Sequence, residues 1–203
     1  MIFAWVLFAA LASDVFSEAE KRQLASTLPI FWKRFQIVET ARSLSRREFP
    51  HVHASGRCLY DTACLLFVAA REGIFLTPQA GSAFWRIVSE EQDDGVSITH
   101  FGYEWEPDSA LTHFALAQGL LPEMHVWAGD PVRQEIVDVT TWEFPDQARE
   151  LIGAEWKTPL PPDFLWCKTS EIPQDAEYKP SKSATEIAWK LMQRVMRERG
   201  LSR

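Results

Sequence analysis

With 203 residues the chain has the length of one ordinary domain, and 46% hydrophobic with 12% aromatic side chains can fill a core, which excludes a disordered chain. Lys plus Arg total 21 against 28 Asp plus Glu, a net charge of -7 with no basic stripe. Phosphate-backbone binding needs clustered cations, so a nucleic-acid partner is not expected. Three cysteines, Cys58, Cys64 and Cys167, with no CxxC pair, fit a reducing compartment and not a disulfide framework.

Residues 1–12 are apolar, carry no basic residue ahead of the run, and fall short of the roughly 20 residues that span a bilayer. They read as a core or amphipathic helix of a cytoplasmic protein, with export on a signal sequence as the alternative. Ser17-Glu-Ala-Glu20 has the form of a capping box, so a helix is expected from there towards Thr27, with Leu28-Pro29 resetting it. A second helix is expected from Phe31 to about Arg47, its tail Arg42–Glu48 a solvated end whose cations suit the helix dipole. Phe49 to Gly56 reads as a loop. The next helix, Gly56 to Gly73, has no charge between Ala63 and Ala70 and so reads as a buried central helix, capped by Ser55 and ended by Gly73.

Beyond it the hydrophobic period moves towards two. Strands are expected at Ile74–Thr77, Ala83–Val88 and Ser97–Tyr103, with Gln79–Ser82 a loop and Glu90–Gly95 a turn. Leu111 to Leu120 reads as helix or loop. Met124–Ala128 and Glu135–Val139 are expected as a hairpin joined at Gly129-Asp-Pro131. A short helix over Phe144–Ile152, a proline-rich extended wrap over Lys157–Pro180, and a last helix over Ser183–Arg199 with Ile187, Leu191 and Val195 as its packing stripe complete the reading.

Cys58 falls at the start of the buried helix, where unpaired N–H groups and the dipole favour negative charge and so a nucleophilic thiolate. Cys64 and Cys167 read as small core residues. His125 and Asp138 fall on adjacent strands of the hairpin, within cross-strand reach. A thiol nucleophile needs an imidazole to take its proton, and the imidazole needs a third group to orient it and stabilise its charge. His51 and His53 have two readings. One of them could supply a second oxyanion donor beside the backbone N–H of Cys58, or both could join Cys58 as three zinc ligands. No second Cys/His cluster supports the metal, so no metal and no other cofactor is expected. His100 and His113 lack a paired acid at hairpin distance, and Trp85, Tyr103, Trp105 and Trp127 could line an apolar cleft.

Gly56-Arg-Cys58, with Gly73-Ile74 following the helix, resembles the nucleophile helix of the transglutaminase-like and arylamine N-acetyltransferase families. His125-Val-Trp127 is similar to the His-Ala-Trp of transglutaminase-like domains, and Asp138-Val-Thr140 to their Asp-Pro-Thr, with Val139 in place of the proline. The resemblance covers about residues 56–141 and looks nearest to small uncharacterised bacterial members of that superfamily. It implies the papain-like cysteine proteinase fold, with Cys58 as nucleophile, His125 as general base and acid, and Asp138 as the orienting carboxylate.

The expected class is α+β, a single papain-like domain over 1–203. It has a helical N-terminal section (1–48), a catalytic-motif core (56–141) in which the Cys-bearing helix packs on an antiparallel sheet, and a C-terminal wrap and helix (142–203). The expected function is amide or thioester hydrolysis or acyl transfer through a Cys-His-Asp triad, on a small-molecule, peptide or acyl-carrier substrate. The alternative is a non-catalytic binding or structural module that keeps the fold. Stable membrane insertion is not expected, and the sequence leaves the oligomeric state open.

Overall fold

The computed structural model describes residues 18–52, 54–90, 96–156 and 159–201, and two units divide the chain between Ile37 and Val38. The expectations for residues 1–12, for Ser17 and for the turn at 91–95 lie outside the described residues. The class is α+β, with a curled antiparallel sheet.

In the first unit, the described residues are the beginning of helix α1 (Glu18–Glu48), which runs on into the second unit with Pro29 inside it. A break was expected at Leu28-Pro29. An internal proline removes one N–H bond at a cost of roughly 3 kcal/mol, which 31 residues of helix absorb.

The second unit holds helices α2 (Ala54–Arg71), α3 (Ala110–Ala117), α4 (Phe144–Ile152) and α5 (Lys182–Glu198). Its strands are β1 (Thr77–Glu90), β2 (Val96–Tyr103), β3 (His125–Asp130), β4 (Glu135–Asp138), β5 (Leu165–Lys168) and β6 (Ala176–Pro180). Helix α2 is the central one. Cys58, Leu59, Ala63, Cys64, Leu65 and Ala69 are buried, while Leu66 and Ala70 are only half-buried. It ends in a Schellman arrangement: Gly73 takes φ 74°, the Ile74 N–H donates to Ala69 O at 2.8 Å and the Gly73 N–H to Ala70 O at 3.1 Å. The start differs from expectation, because the helix opens at Ala54 and Ser55 stands inside it.

The sheet order is β2-β1-β3-β4-β5, every pair antiparallel, with β6 also on β1. Strand β1 is 14 residues long, so three partners fit along it: β3 from Thr77 to Gly81, β6 from Gly81 to Trp85, and β2 from Ala83 to Glu90. Gly81 stands in register with both His125 and Pro180. A Cβ there would sit 2.1 Å from the Lys179 carbonyl oxygen, so only glycine lets β6 come this close. The expected loop at Gln79–Ser82 is therefore strand interior, its glycine marking an approach of two backbones and not a turn, and Ile74–Leu76 is irregular instead of strand.

The proline-rich segment contributes β5 and β6 to the sheet, with Pro180 at the end of an edge strand where a missing donor is tolerated. The β3–β4 turn lies at Pro131–Gln134, where Asp130 Oδ1 accepts the N–H groups of Val132 and Arg133, so Gly129 is strand and not turn. Helix α5 buries Ala184, Ala188, Met192 and Val195 most deeply, with Ile187 and Leu191 flanking. Small residues on that line let it approach β1 closely.

The two sides of the sheet carry two cores. One joins Cys58, Leu59 and Ala63 of α2 to Ala80, Met124 and Val126, and to Ala184, Ala188 and Met192 of α5. The other joins Trp85, Ile87, Phe101 and Tyr103 to Phe144 and Ala148 of α4 and to Leu165. The period-two alternation of β3 explains the division: Met124 and Val126 meet the first core, while His125 and Trp127 turn to the other side.

Candidate active site

His125 opens β3 and Asp138 closes β4. The hairpin register pairs Ala128 with Val137, which sets Asp138 opposite Trp127 and diagonal to His125. The His125 Nε2 to Asp138 Oδ2 distance is 2.7 Å, with the two residues 0% and 1% exposed. The second ring nitrogen, Nδ1, is buried and has no hydrogen bond of ordinary geometry. Cys58, itself 5% exposed, is among the groups that raise the pKa of this ring. With Nε2 committed to Asp138, Nδ1 is the nitrogen left for the thiol.

Asp138 is fully satisfied. Its Oδ2 accepts from His125 Nε2 and from the Tyr178 hydroxyl, both at 2.7 Å. Its Oδ1 accepts the Thr140 N–H at 2.9 Å and the Thr140 hydroxyl at 2.8 Å. Burial alone would raise the pKa of this carboxyl; the His125 charge, then these hydrogen bonds, overcome burial and hold it below the usual range. The reverse holds for His125, where burial would lower the imidazole's pKa but Asp138, and after it Cys58, push it up. A buried imidazole paired with a carboxylate and neighbouring a thiol is thus arranged to carry a proton.

Aromatic rings enclose the imidazole. Tyr103 stacks on it with centroids 5.5 Å apart at 15°, Trp127 at 5.9 Å and 20°, and Phe144 meets it edge-on at 5.4 Å. The Tyr103 hydroxyl bonds to Gln147 Oε1, which fixes that ring from α4. Of the aromatics expected near a cleft, Tyr103 and Trp127 lie against His125, while Trp105 packs at the edge of the first core and Trp85 inside the second. Tyr103 and Met124 also line a cavity of about 360 Å³, with Leu121, Leu151 and Ile152 on its other walls.

No family model, curated protein or solved structure matches the chain.

The remaining expected site residues are scattered. His51 is exposed, and His53 lies outside the described residues. His100 on β2 and His113 on α3 are exposed. Among the described residues no group of three or more His, Cys, Asp or Glu could hold a metal ion. Cys64 is buried mid-helix, its thiol pushed up to about 12 by burial, and Cys167 is half-buried on β5. The expected use of the Cys58 N–H as an oxyanion donor meets a difficulty. Cys58 is the fifth residue of α2, so its N–H is set towards the carbonyl of Ala54, four residues back.

The sequence reading missed several residues. Arg42, expected in solvent, is buried and binds Val139 O. Its signal was available, since it falls on the same helical face as Val38, Ala41 and Ser45, where an arginine implies a buried partner. Tyr178, inside the expected wrap, carried no local signal for its bond to Asp138. Beside Cys58, Arg57 lies between Asp61 at 3.7 Å and Glu143 at 3.9 Å. Burial, followed by the charge of Asp61, pushes the Glu143 carboxyl up to about 7 against the opposing pull of Arg57, Arg42 and Arg46.

Proposed function

We propose that this chain catalyses cysteine-dependent acyl chemistry on a papain-like framework, with Cys58 as nucleophile, His125 as general base and acid, and Asp138 as the orienting carboxylate. The observation that carries the reading is the buried Nε2 to Oδ2 contact of 2.7 Å on a ring whose other nitrogen is buried and has no hydrogen-bond partner. A cation held beside sulfur stabilises a thiolate, and a carboxylate on the far nitrogen stabilises that cation.

In the first half-reaction the Cys58 sulfur attacks an amide or thioester carbonyl and a C–S bond forms. The imidazolium gives its proton to the leaving amine or thiol as the C–N or C–S bond breaks, leaving an acyl-enzyme. In the second, His125 takes a proton from water or an acceptor amine, which attacks the acyl carbon and releases the thiolate. The aromatic enclosure keeps water off the Asp138–His125 bond, where low polarity strengthens the charge pair. The cavity behind Tyr103 and Met124 offers room for the non-reacting part of a small-molecule, peptide or acyl-carrier substrate. Among the described residues no helix is long and apolar enough to cross a membrane, and the reading calls for no membrane or nucleic-acid partner and no cofactor.

The slight exposure of Cys58 favours a second reading, a binding or structural module that keeps the triad as packed remnants. Iodoacetamide labelling of the whole chain, followed at the Cys58 peptide by mass spectrometry, separates them. The catalytic reading expects labelling at pH 6 that disappears in His125→Ala, together with a trapped acyl adduct from a panel of thioesters, aryl amides and peptides. Slow labelling that is indifferent to His125, with no adduct from any of the panel, would leave the module as the function.

A further inference from the structure

Arg42 is 4% exposed, and its guanidinium uses each of its five N–H groups. Nε donates to Val139 O at 3.0 Å and Nη2 to the same oxygen at 2.8 Å. Nη2 also reaches Asp163 O at 2.5 Å, and Nη1 donates to Asp163 Oδ2 at 2.8 Å and Glu39 Oε1 at 2.9 Å. The oxygen at the centre of this fork belongs to the peptide joining Val139 to Thr140. The N–H of that same peptide is the one that Asp138 Oδ1 accepts at 2.9 Å.

We propose that Arg42 is the positioning residue of the triad carboxylate, clamping and polarising the Val139–Thr140 peptide so that its N–H holds Asp138 in line with His125 Nε2. The inference rests on the functional reading above and adds to it a residue that touches no reacting group. A carbonyl that accepts two bonds from a cation makes the N–H at the other end of its amide a stronger donor. Four rigid atoms thus carry the effect of a charge on α1 to the triad acid on β4. Lysine does not substitute, because an ammonium has three donors around one point and no planar fork. The ring of Trp142 lies 5.5 Å from the Arg42 guanidinium and 5.4 Å from that of Arg46, so Arg46 shares the ring with Arg42 while no bond joins it to Val139 O. The charged and titratable groups around this line are Glu39 and Asp163 at the guanidinium, Cys58, Tyr103 and Tyr178 around His125 and Asp138, and Arg57 and Asp61 on α2 with Glu143 next to Arg57.

The test compares the whole chain with Arg42→Lys and with Arg46→Lys, each checked for a cooperative thermal transition. The His125 ring is titrated by NMR, and Cys58 labelling by iodoacetamide is followed against pH. Arg42→Lys is expected to lower the apparent pKa of His125 by about one unit, tenfold in the protonation equilibrium, and to slow labelling at pH 6 about tenfold. Arg46→Lys should change neither. If Arg42→Lys does not fold, Asp163→Ala, which removes one exposed brace of the same guanidinium, should produce the same shift in smaller measure. A folded Arg42→Lys, or an Asp163→Ala standing in for it, with the parental titration and labelling profile would overturn the proposal. The titration reads the Asp138–His125 pair without any reaction. An unreactive Cys58 would therefore count against the functional reading alone, and the NMR result would still decide the role of Arg42.

Discussion

Asp138→Asn exposes the proton bookkeeping of the site. An asparagine amide has one accepting oxygen where Asp138 has two, and four donors point at this carboxylate. The backbone N–H of Thr140 can only donate, so the amide oxygen must take the Oδ1 position and the NH2 the Oδ2 position. The Tyr178 hydroxyl can then turn and accept. The imidazole can accept only if its proton moves to Nδ1, the nitrogen on the Cys58 side, and a protonated Nδ1 cannot take a proton from the thiol. The turned Tyr178 hydroxyl loses the acceptor of its own proton, so some stability is lost along with the chemistry. The same substitution in a serine triad costs about 10⁴ in turnover through the wrong tautomer, and a loss of that order is expected here.

Stability changes with a definite sign. A histidine pKa raised from 6.5 to about 10 contributes stability that is complete below pH 6.5 and disappears as pH rises through 10. The lowered Asp138 pKa contributes stability above 3.8 that disappears as pH falls through its native value. The deficit of the variant should therefore be largest between about pH 4 and 6.5, reach at most about 4 kcal/mol at pH 7 at roughly 1.4 kcal/mol per unit, and shrink towards pH 10. Nitrogen-15 shifts of the His125 ring report the tautomer, iodoacetamide labelling at pH 6 the thiol, and denaturant titrations the stability. A variant whose His125 keeps its proton on Nε2 and whose Cys58 labels at the parental rate would refute the reasoning.

Glu143→Gln removes a carboxylate whose pKa burial raises from 4.5 to about 7. Ionising it costs the native state roughly 3 kcal/mol above pH 7 and nothing below pH 4.5, so the variant should be the more stable protein at pH 8 in denaturant titrations, with the advantage fading by pH 5. Leu65→Ala, at a fully buried position of α2, should lower stability by about 2–5 kcal/mol and leave Cys58 labelling intact below the melting transition; Cys58→Ala should leave the denaturation midpoint nearly unchanged while abolishing any acyl adduct or turnover of the panel substrates. Gly81→Ala places a methyl 2.1 Å from Lys179 O and 2.9 Å from Ser181 N. The shift forced on β6 should appear as a lowered melting temperature and as loss of the Tyr178 bond to Asp138, read from the hydroxyl proton by NMR.

Local chemistry made part of this molecule legible in advance. The charge-free stretch after Ala63, the glycine at 73 and the Phe144–Ile152 helix were readable because each depends on residues a few positions apart. The hairpin placed His125 and Asp138 on neighbouring strands for the same reason, thirteen residues being a local separation. What escaped depends on partners far along the chain. Gly81 could occupy a strand only because β6 presses its backbone against it. The buried face of α1 marked Arg42 as paired but could not name Val139, 97 residues away, and Tyr178 looked like wrap because Asp138 lies 40 residues away.

The threefold pairing along β1 also sets an order of assembly. Residues 77–81 can pair with β3 once residue 130 exists, but the β6 side of residues 81–85 waits for the stretch beyond residue 176. Pairings of such separation form late, because a large loop must close before its contacts are gained. Tyr178 arrives with that last pairing. Cys58, His125 and Asp138 are therefore all synthesised well before Oδ2 of Asp138 receives its second donor. A half-made chain holds Cys58, His125 and Asp138 without the bond from Tyr178, and on the proposed function it would stay inactive until the sheet is complete.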